Sequence, residues 1–163
     1  MRLFVALFPS EDARSDLRRH LRTATTRPVR LTPADDWHIT MAFLGEIPDP
    51  SRPSIEQAIT PAVAGGPVRL RLTGGGSFGT AQWAGVDGDL PALFRLQAAL
   101  RRALNLDDRP FTPHLTVTYR GSREVRAALD GYAGPSWTAT ELVLVRSHHT
   151  TAGGYEPLRS WSL

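Results

Sequence analysis

Apolar residues along this chain recur with two different periods. The run Leu3 to Phe8 is unbroken and stops at Pro9, which predicts a buried strand. Ser10 then caps a helix with Ala13, Leu17, Leu21 and Ala24 on one face and Arg14, Arg18 and Arg22 on another. Trp37 to Leu44 reads as a strand closed by Gly45. From about Ser54 a helix buries Ile55, Ala58, Ile59 and Ala62 behind a Ser54/Gln57 capping box. Val68 to Thr73 sets Val, Leu and Leu against Arg, Arg and Thr, the period of a half-buried strand. Gly74, Gly75 and Gly76 are expected to break it as a flexible turn. Gln82 to Val86 follows as a short strand, and Pro91 opens a helix that turns Leu93, Leu96, Leu100 and Leu104 inward. A strand from His114 to Tyr119, a short helix from Ser122 to Asp130, and strands at Leu142 to Arg146 and Leu158 to Leu163 complete the chain.

Short spacings and polar alternation argue against an all-parallel sheet, so the expected class is α+β with antiparallel sheets. The order strand, helix, histidine-bearing strand, helix occurs twice, a candidate duplication into two lobes. At 163 residues the chain fits one domain.

Composition narrows the chemistry. Cysteine is absent, which removes disulfide scaffolds, Cys-ligated zinc and thiol nucleophiles. All nineteen basic residues are arginine, which removes a Schiff-base lysine and a Walker A loop. An anionic partner must therefore be held by guanidinium. Residues 1–30 carry seven arginines against three acids, a local bias in a chain whose formal net charge is only +3. No apolar run approaches the ~20 residues of a membrane span. The opening nine residues are too short for a signal peptide. A cytoplasmic protein without a membrane partner is expected.

Two of the five histidines share a local pattern. Trp37-His38-Ile39-Thr40-Met41-Ala42-Phe43 and Pro113-His114-Leu115-Thr116-Val117-Thr118-Tyr119 each place His-x-Thr inside a strand. Strand alternation puts His38, Thr40 and Ala42 on one face and Trp37, Ile39, Met41 and Phe43 on the other. His114, Thr116 and Thr118 repeat that arrangement, and the same parity adds Arg120. On each strand an imidazole and a hydroxyl lie about 7 Å apart on one side, within reach of one tetrahedral anion. Paired imidazoles suit in-line displacement at phosphorus: one takes a proton from the attacking oxygen and the other gives one to the leaving oxygen. The threonines would hold the non-bridging oxygens as charge builds. A metal site is the weaker reading, because no third ligand shares the face; none is expected, nor any cofactor. His148 and His149 read as loop residues, and His20 as the boundary of its helix's arginine face.

Beyond the two motifs, the opening Arg2-Leu3-Phe4-Val5-Ala6, the extensions Phe43-Leu44-Gly45-Glu46 and Arg109-Pro110-Phe111-Thr112-Pro113, and the close from Arg146-Ser147 through Gly154-Tyr155-Glu156-Pro157-Leu158 to Trp161 resemble the two-histidine phosphoesterases. The likeness is to the bacterial RNA 2′,3′-cyclic phosphodiesterase group, also called 2′-5′ RNA ligase-like. It implies a single bilobal domain over residues 1–163, with two related lobes, antiparallel sheets lining a central cleft and helices outside. It implies hydrolysis of RNA 2′,3′-cyclic phosphate ends to 2′-phosphates, with weak reverse ligation as a secondary activity. By the same resemblance His38 would be the proton donor and His114 the proton acceptor, with Thr40 and Thr116 on the phosphate. The family often carries arginine five residues after the second histidine; Tyr119 stands there, and Arg120 is the candidate substitute. Phe4 is a candidate for stacking a terminal base. RNA ends are the expected partner, and a monomer the expected state. A small cyclic nucleotide or another cyclic phosphodiester is the alternative substrate, and a non-catalytic RNA-end-binding module the alternative class.

Overall fold

Residues 1–148 and 154–163 are described by the computed structural model. In chain order the elements are β1 (Arg2–Leu7), α1 (Glu11–Ala24), β2 (Ile39–Glu46), α2 (Arg52–Ala62), β3 (Val68–Phe78), β4 (Ala81–Gly88), α3 (Leu90–Ala103), β5 (His114–Thr118), α4 (Arg123–Leu129), β6 (Ala133–Ala139), β7 (Glu141–Ser147) and β8 (Tyr155–Ser162). Among the described residues the strands form one eight-stranded sheet in the order β6-β3-β4-β5-β2-β1-β7-β8. Every pairing is antiparallel.

The expected duplication is visible in this order. β1-α1-β2 and β4-α3-β5 are each a strand, a helix and a histidine strand that returns antiparallel beside the first. β7 and β8 extend the first half beyond β1, and β3 and β6 extend the second beyond β4. The halves meet where Ile39 pairs with Leu115. They also exchange cover: α1 packs on β6 and α4 from the second half, and α3 packs on β2 from the first.

Alternation along β1 and β7 divides two apolar layers. Leu3, Val5, Leu7, Leu142 and Leu144 join the main core. Phe4, Ala6, Val143 and Val145 form a smaller cluster on the opposite face with Phe8 and Tyr155. The sequence signals for α1 and α4 are realised as caps: Ser10 accepts from the Ala13 amide and Ser122 from the Val125 amide. In α3 Pro91 lies in the first turn and Asp89 is the cap.

Three expectations fail locally. α2 starts at Arg52, directly after a 3-10 turn at Asp49–Ser51, so Ser54 lies inside the helix and its capping box does not form. The Gly74–Gly76 run does not end β3; the strand continues to Phe78, with a bulge between Thr73 and Gly75 where Gly74 takes φ +61°. Glycine is needed there because a Cβ at Gly75 would lie 2.6 Å from Leu129 and one at Gly76 would overlap the Trp83 ring. The apolar pattern gives no sign of β6: its sequence holds Gly134 and Pro135, tolerated because it is an edge strand.

Candidate active site

Both motif histidines are oriented by the same device. Nδ1 of His38 lies 2.7 Å from the Asp36 carbonyl oxygen, and Nδ1 of His114 lies 2.7 Å from the Thr112 carbonyl oxygen. A carbonyl only accepts, so each Nδ1 carries the proton and donates it. Nε2 of each ring is left for proton transfer. The Ile39–Leu115 register sets His38 opposite Thr116 and Thr40 opposite His114. Neighbouring strands lie about 4.8 Å apart, so the two imidazoles and two hydroxyls form one compact group. Among the described residues neither threonine hydroxyl has a hydrogen-bond partner, so both can donate to an anion.

Each imidazole is also wedged by aromatic rings. His38 stacks on Phe4 at 4.7 Å and meets the edge of Tyr155 at 5.1 Å, with Phe8 at 5.9 Å. Ala6, between Phe4 and Phe8 on that face of β1, leaves room for the ring. His114 lies 5.1 Å from Phe78 and 5.4 Å from Trp83. Burial pushes the His38 pKa below its ordinary value; the Asp36 carbonyl and carboxylate pull it up, and the charge of His114 pushes it down. Burial, helped by the neighbouring Tyr119 and the Asp36 carboxylate, pushes the Tyr155 hydroxyl up to about 12, so it stays neutral at physiological pH.

Two bulges shift the strand parity that the sequence suggests. In β2 Ala6 pairs with Thr40 but Val5 pairs with Ala42, so Met41 is the extra residue. Beyond it Ala42 joins the main core and Phe43, 51% exposed, opens onto the cleft. In β5 Trp83 pairs with Thr116 but Gln82 pairs with Thr118, which makes Val117 the extra residue. Thr118 is consequently buried, its hydroxyl donating to the Arg30 carbonyl at 2.6 Å. The strand ends there, so the face assignment for Arg120 fails; its amide donates to Thr118 Oγ1 in a turn and its side chain is exposed. Tyr119 reaches Tyr155 instead. Phe4 is also corrected: at 4% exposure, with its ring against His38, it supports the imidazole and has no face open to a base.

Sequence reasoning missed Phe8, Phe78, Trp83 and Tyr155, which surround the histidines. Tyr155 lies in the closing segment that carried the family likeness, the one signal that pointed toward it. The remaining described histidines serve elsewhere. His20 holds the Ala128 carbonyl at 2.6 Å and packs on Tyr132, pinning α1 to α4. His148 pairs with Glu156 at 2.7 Å, and His149 lies outside the described residues. Among the described residues no group of three His, Asp or Glu is placed to hold a metal ion, and no helix is long and apolar enough to cross a membrane.

Two cavities flank the histidine pair. One, of about 730 Å³, is lined by Phe8, Asp36 and Tyr155 beside His38. The other, of about 710 Å³, is lined by Thr40, Phe43, Phe78 and His114. An α+β fold with a duplicated strand-helix-strand unit and one His-x-Thr per half defines a two-histidine class of protein. The family model of the 2′-5′ RNA ligase superfamily matches residues 8–151, and the chain belongs to that superfamily. An RNA 2′,3′-cyclic phosphodiesterase of Thermus thermophilus is 31% identical over 180 residues, covering 100% of this chain and 90% of that protein. One of Escherichia coli is 30% identical over 158 residues, covering 88% and 84%. One of Geobacillus stearothermophilus is 32% identical over 144 residues; the match takes in 79% of this chain but only 46% of that longer protein. Crystal structures of a Thermus thermophilus protein (TM-score 0.77, 29% identity, 100% of this chain and 98% of that one) and of E. coli LigT complexed with NADP+ (TM-score 0.79, 27% identity, 99% and 97%) share the fold.

Proposed function

We propose that this chain hydrolyses 2′,3′-cyclic phosphate ends of RNA to 2′-phosphomonoesters by acid–base catalysis between His38 and His114. The observation that carries the reading is the matched pair of Nδ1–carbonyl bonds, which leaves two Nε2 atoms for one phosphate. His114 takes the proton of the attacking water. His38 protonates the 3′-oxygen as the P–O3′ bond breaks. Thr40 and Thr116 donate to the non-bridging oxygens, where charge accumulates. A buried His38 holds its proton best when an anion is beside it, so the arriving phosphate loads the acid. In-line geometry places the leaving 3′-oxygen on the His38 side, and its ribose, still bonded to the phosphate through the 2′-oxygen, beside the cavity that Phe8 and Tyr155 line. Replacing water with an RNA 5′-hydroxyl gives the secondary, ligating reaction. Both histidines come from one chain, which is consistent with a monomer of one bilobal domain, and we place its work in the cytoplasm.

Tyr119, standing where the family often has arginine, favours a second reading in which a small cyclic phosphodiester is the substrate. Incubation of a short RNA ending in a 2′,3′-cyclic phosphate, with EDTA present, tests the choice. A 2′-phosphate end supports the proposal. No turnover of that RNA, with turnover of a small cyclic nucleotide, supports the alternative.

A further inference from the structure

The N-terminal arginine bias has a definite location in the fold. Arg18 and Arg22 stand one turn apart on α1, flanking the buried row Ala13, Leu17 and Leu21. Arg27 and Arg30 follow in the segment that leaves the helix. All four are exposed and line one groove of about 710 Å³, and no carboxylate lines it. Like charges four residues apart on a helix repel. The helix C-terminus offsets part of that for Arg22 but cannot do so for Arg27 or Arg30, which lie beyond it. Arg27 has Glu124 within electrostatic reach. Among the described residues the side chains of Arg18, Arg22 and Arg30 have no ion pair or hydrogen-bond partner.

The groove is fixed to the catalytic strand. The Thr32 amide donates to the Val117 carbonyl at 2.8 Å, and the Thr118 hydroxyl donates to the Arg30 carbonyl. Its far end is Ala34 and Trp37, and Trp37 precedes His38. Asp35 and Asp36 follow Ala34 in the chain and line the cavity beside His38, so the groove ends next to that cavity.

We infer that the groove of Arg18, Arg22, Arg27 and Arg30 binds the phosphodiester backbone of the RNA strand upstream of the cyclic end. The inference rests on the proposed reaction only for which RNA end is held. A substrate with several upstream phosphates gains interactions there that a mononucleoside cyclic phosphate cannot make. Guanidinium binds phosphate bidentately and stays charged, which suits a sequence-independent grip.

The test compares wild type with Arg18→Gln/Arg22→Gln, a pair of exposed changes that keeps helix propensity. Binding of a 5′-end-labelled octanucleotide carrying a terminal 2′-phosphate is followed across salt concentrations. Each phosphate no longer neutralised by an arginine lowers the slope of log affinity against log salt by about 0.7 for a single strand, so the slope for the variant should be shallower by about 1.4. In parallel its KM for a cyclic-phosphate octanucleotide should rise at least threefold, while kinetics on uridine 2′,3′-cyclic phosphate stay at the wild-type level. Equal salt slopes for the two proteins overturn the inference. So does an equal loss of activity on both substrates. Absence of turnover by wild type on either substrate would sink the proposed reaction instead, and the binding comparison would still decide the groove.

Discussion

Ile39 on β2 pairs with Leu115 on β5 across the seam of the sheet, and both side chains are fully buried. Each lies between the histidine and the threonine of its own motif. The pair therefore holds two jobs: it joins the halves, and it sets the distance between the imidazoles.

Ile39→Ala should accordingly cost more than a core truncation elsewhere. Removing the buried side chain destabilises by about 2–5 kcal/mol. Relaxation into the space moves His38 relative to His114, so kcat should also fall in the fraction that remains folded. Denaturant titration and active-site-normalised kinetics separate the two. Destabilisation with unchanged kcat would show that the seam does not position the rings.

Gly76→Ala tests the aromatic support of His114. A Cβ there overlaps the Trp83 ring, which lies 5.4 Å from the His114 ring. Overpacking of this kind costs about 1–3 kcal/mol. The displaced indole should lower kcat as well, while Gly65→Ala should not, since nothing lies within 4 Å of a Cβ there and its backbone is outside the left-handed region. Crystal structures and kinetics of the two variants check it; equal activities would detach Trp83 from the site.

The lowered pKa of His38 has a signed consequence for stability. The unfolded chain takes up this proton near the ordinary 6.5, the folded chain only at lower pH. Within that window the unfolded state binds more protons, so this group's contribution falls as pH drops below 6.5 and is complete above it. His38→Gln removes the group, and the stability difference between variant and wild type should shift in the variant's favour as pH falls from 7 to 5. A pH-independent difference in urea titrations would contradict the burial argument. The same group predicts one limb of the kcat/KM profile below 6.5, since that profile reports the free protein.

The two motif strands and α1 were legible because their signals are local. Ser10 and Ser122 cap helices whose apolar faces are continuous, and His-x-Thr lies within β5 and, with Trp37 and His38 just ahead of the strand, at the start of β2. The positions of Phe43 and Tyr119 were not legible. Each depends on a bulge, at Met41 and at Val117, and a bulge is fixed by what the neighbouring strand offers rather than by the residue that forms it. Gly74–Gly76 misled for a related reason. Its glycines serve close approach by Leu129, far away in the sequence, and by Trp83 on the facing strand of the hairpin. Phe4 was placed correctly in β1, but only the lean of His38 across Ala6 decides that its ring is covered.

The most direct test of the account is single-turnover cleavage of an RNA 2′,3′-cyclic phosphate by wild type, His38→Gln, His114→Gln and the double variant, all in EDTA. Loss of either acid or base should slow the reaction by about 10²–10⁴-fold. The double variant should be little slower than the worse single one, because the two rings act on one displacement. Either single variant keeping more than about a tenth of the wild-type rate would contradict the account.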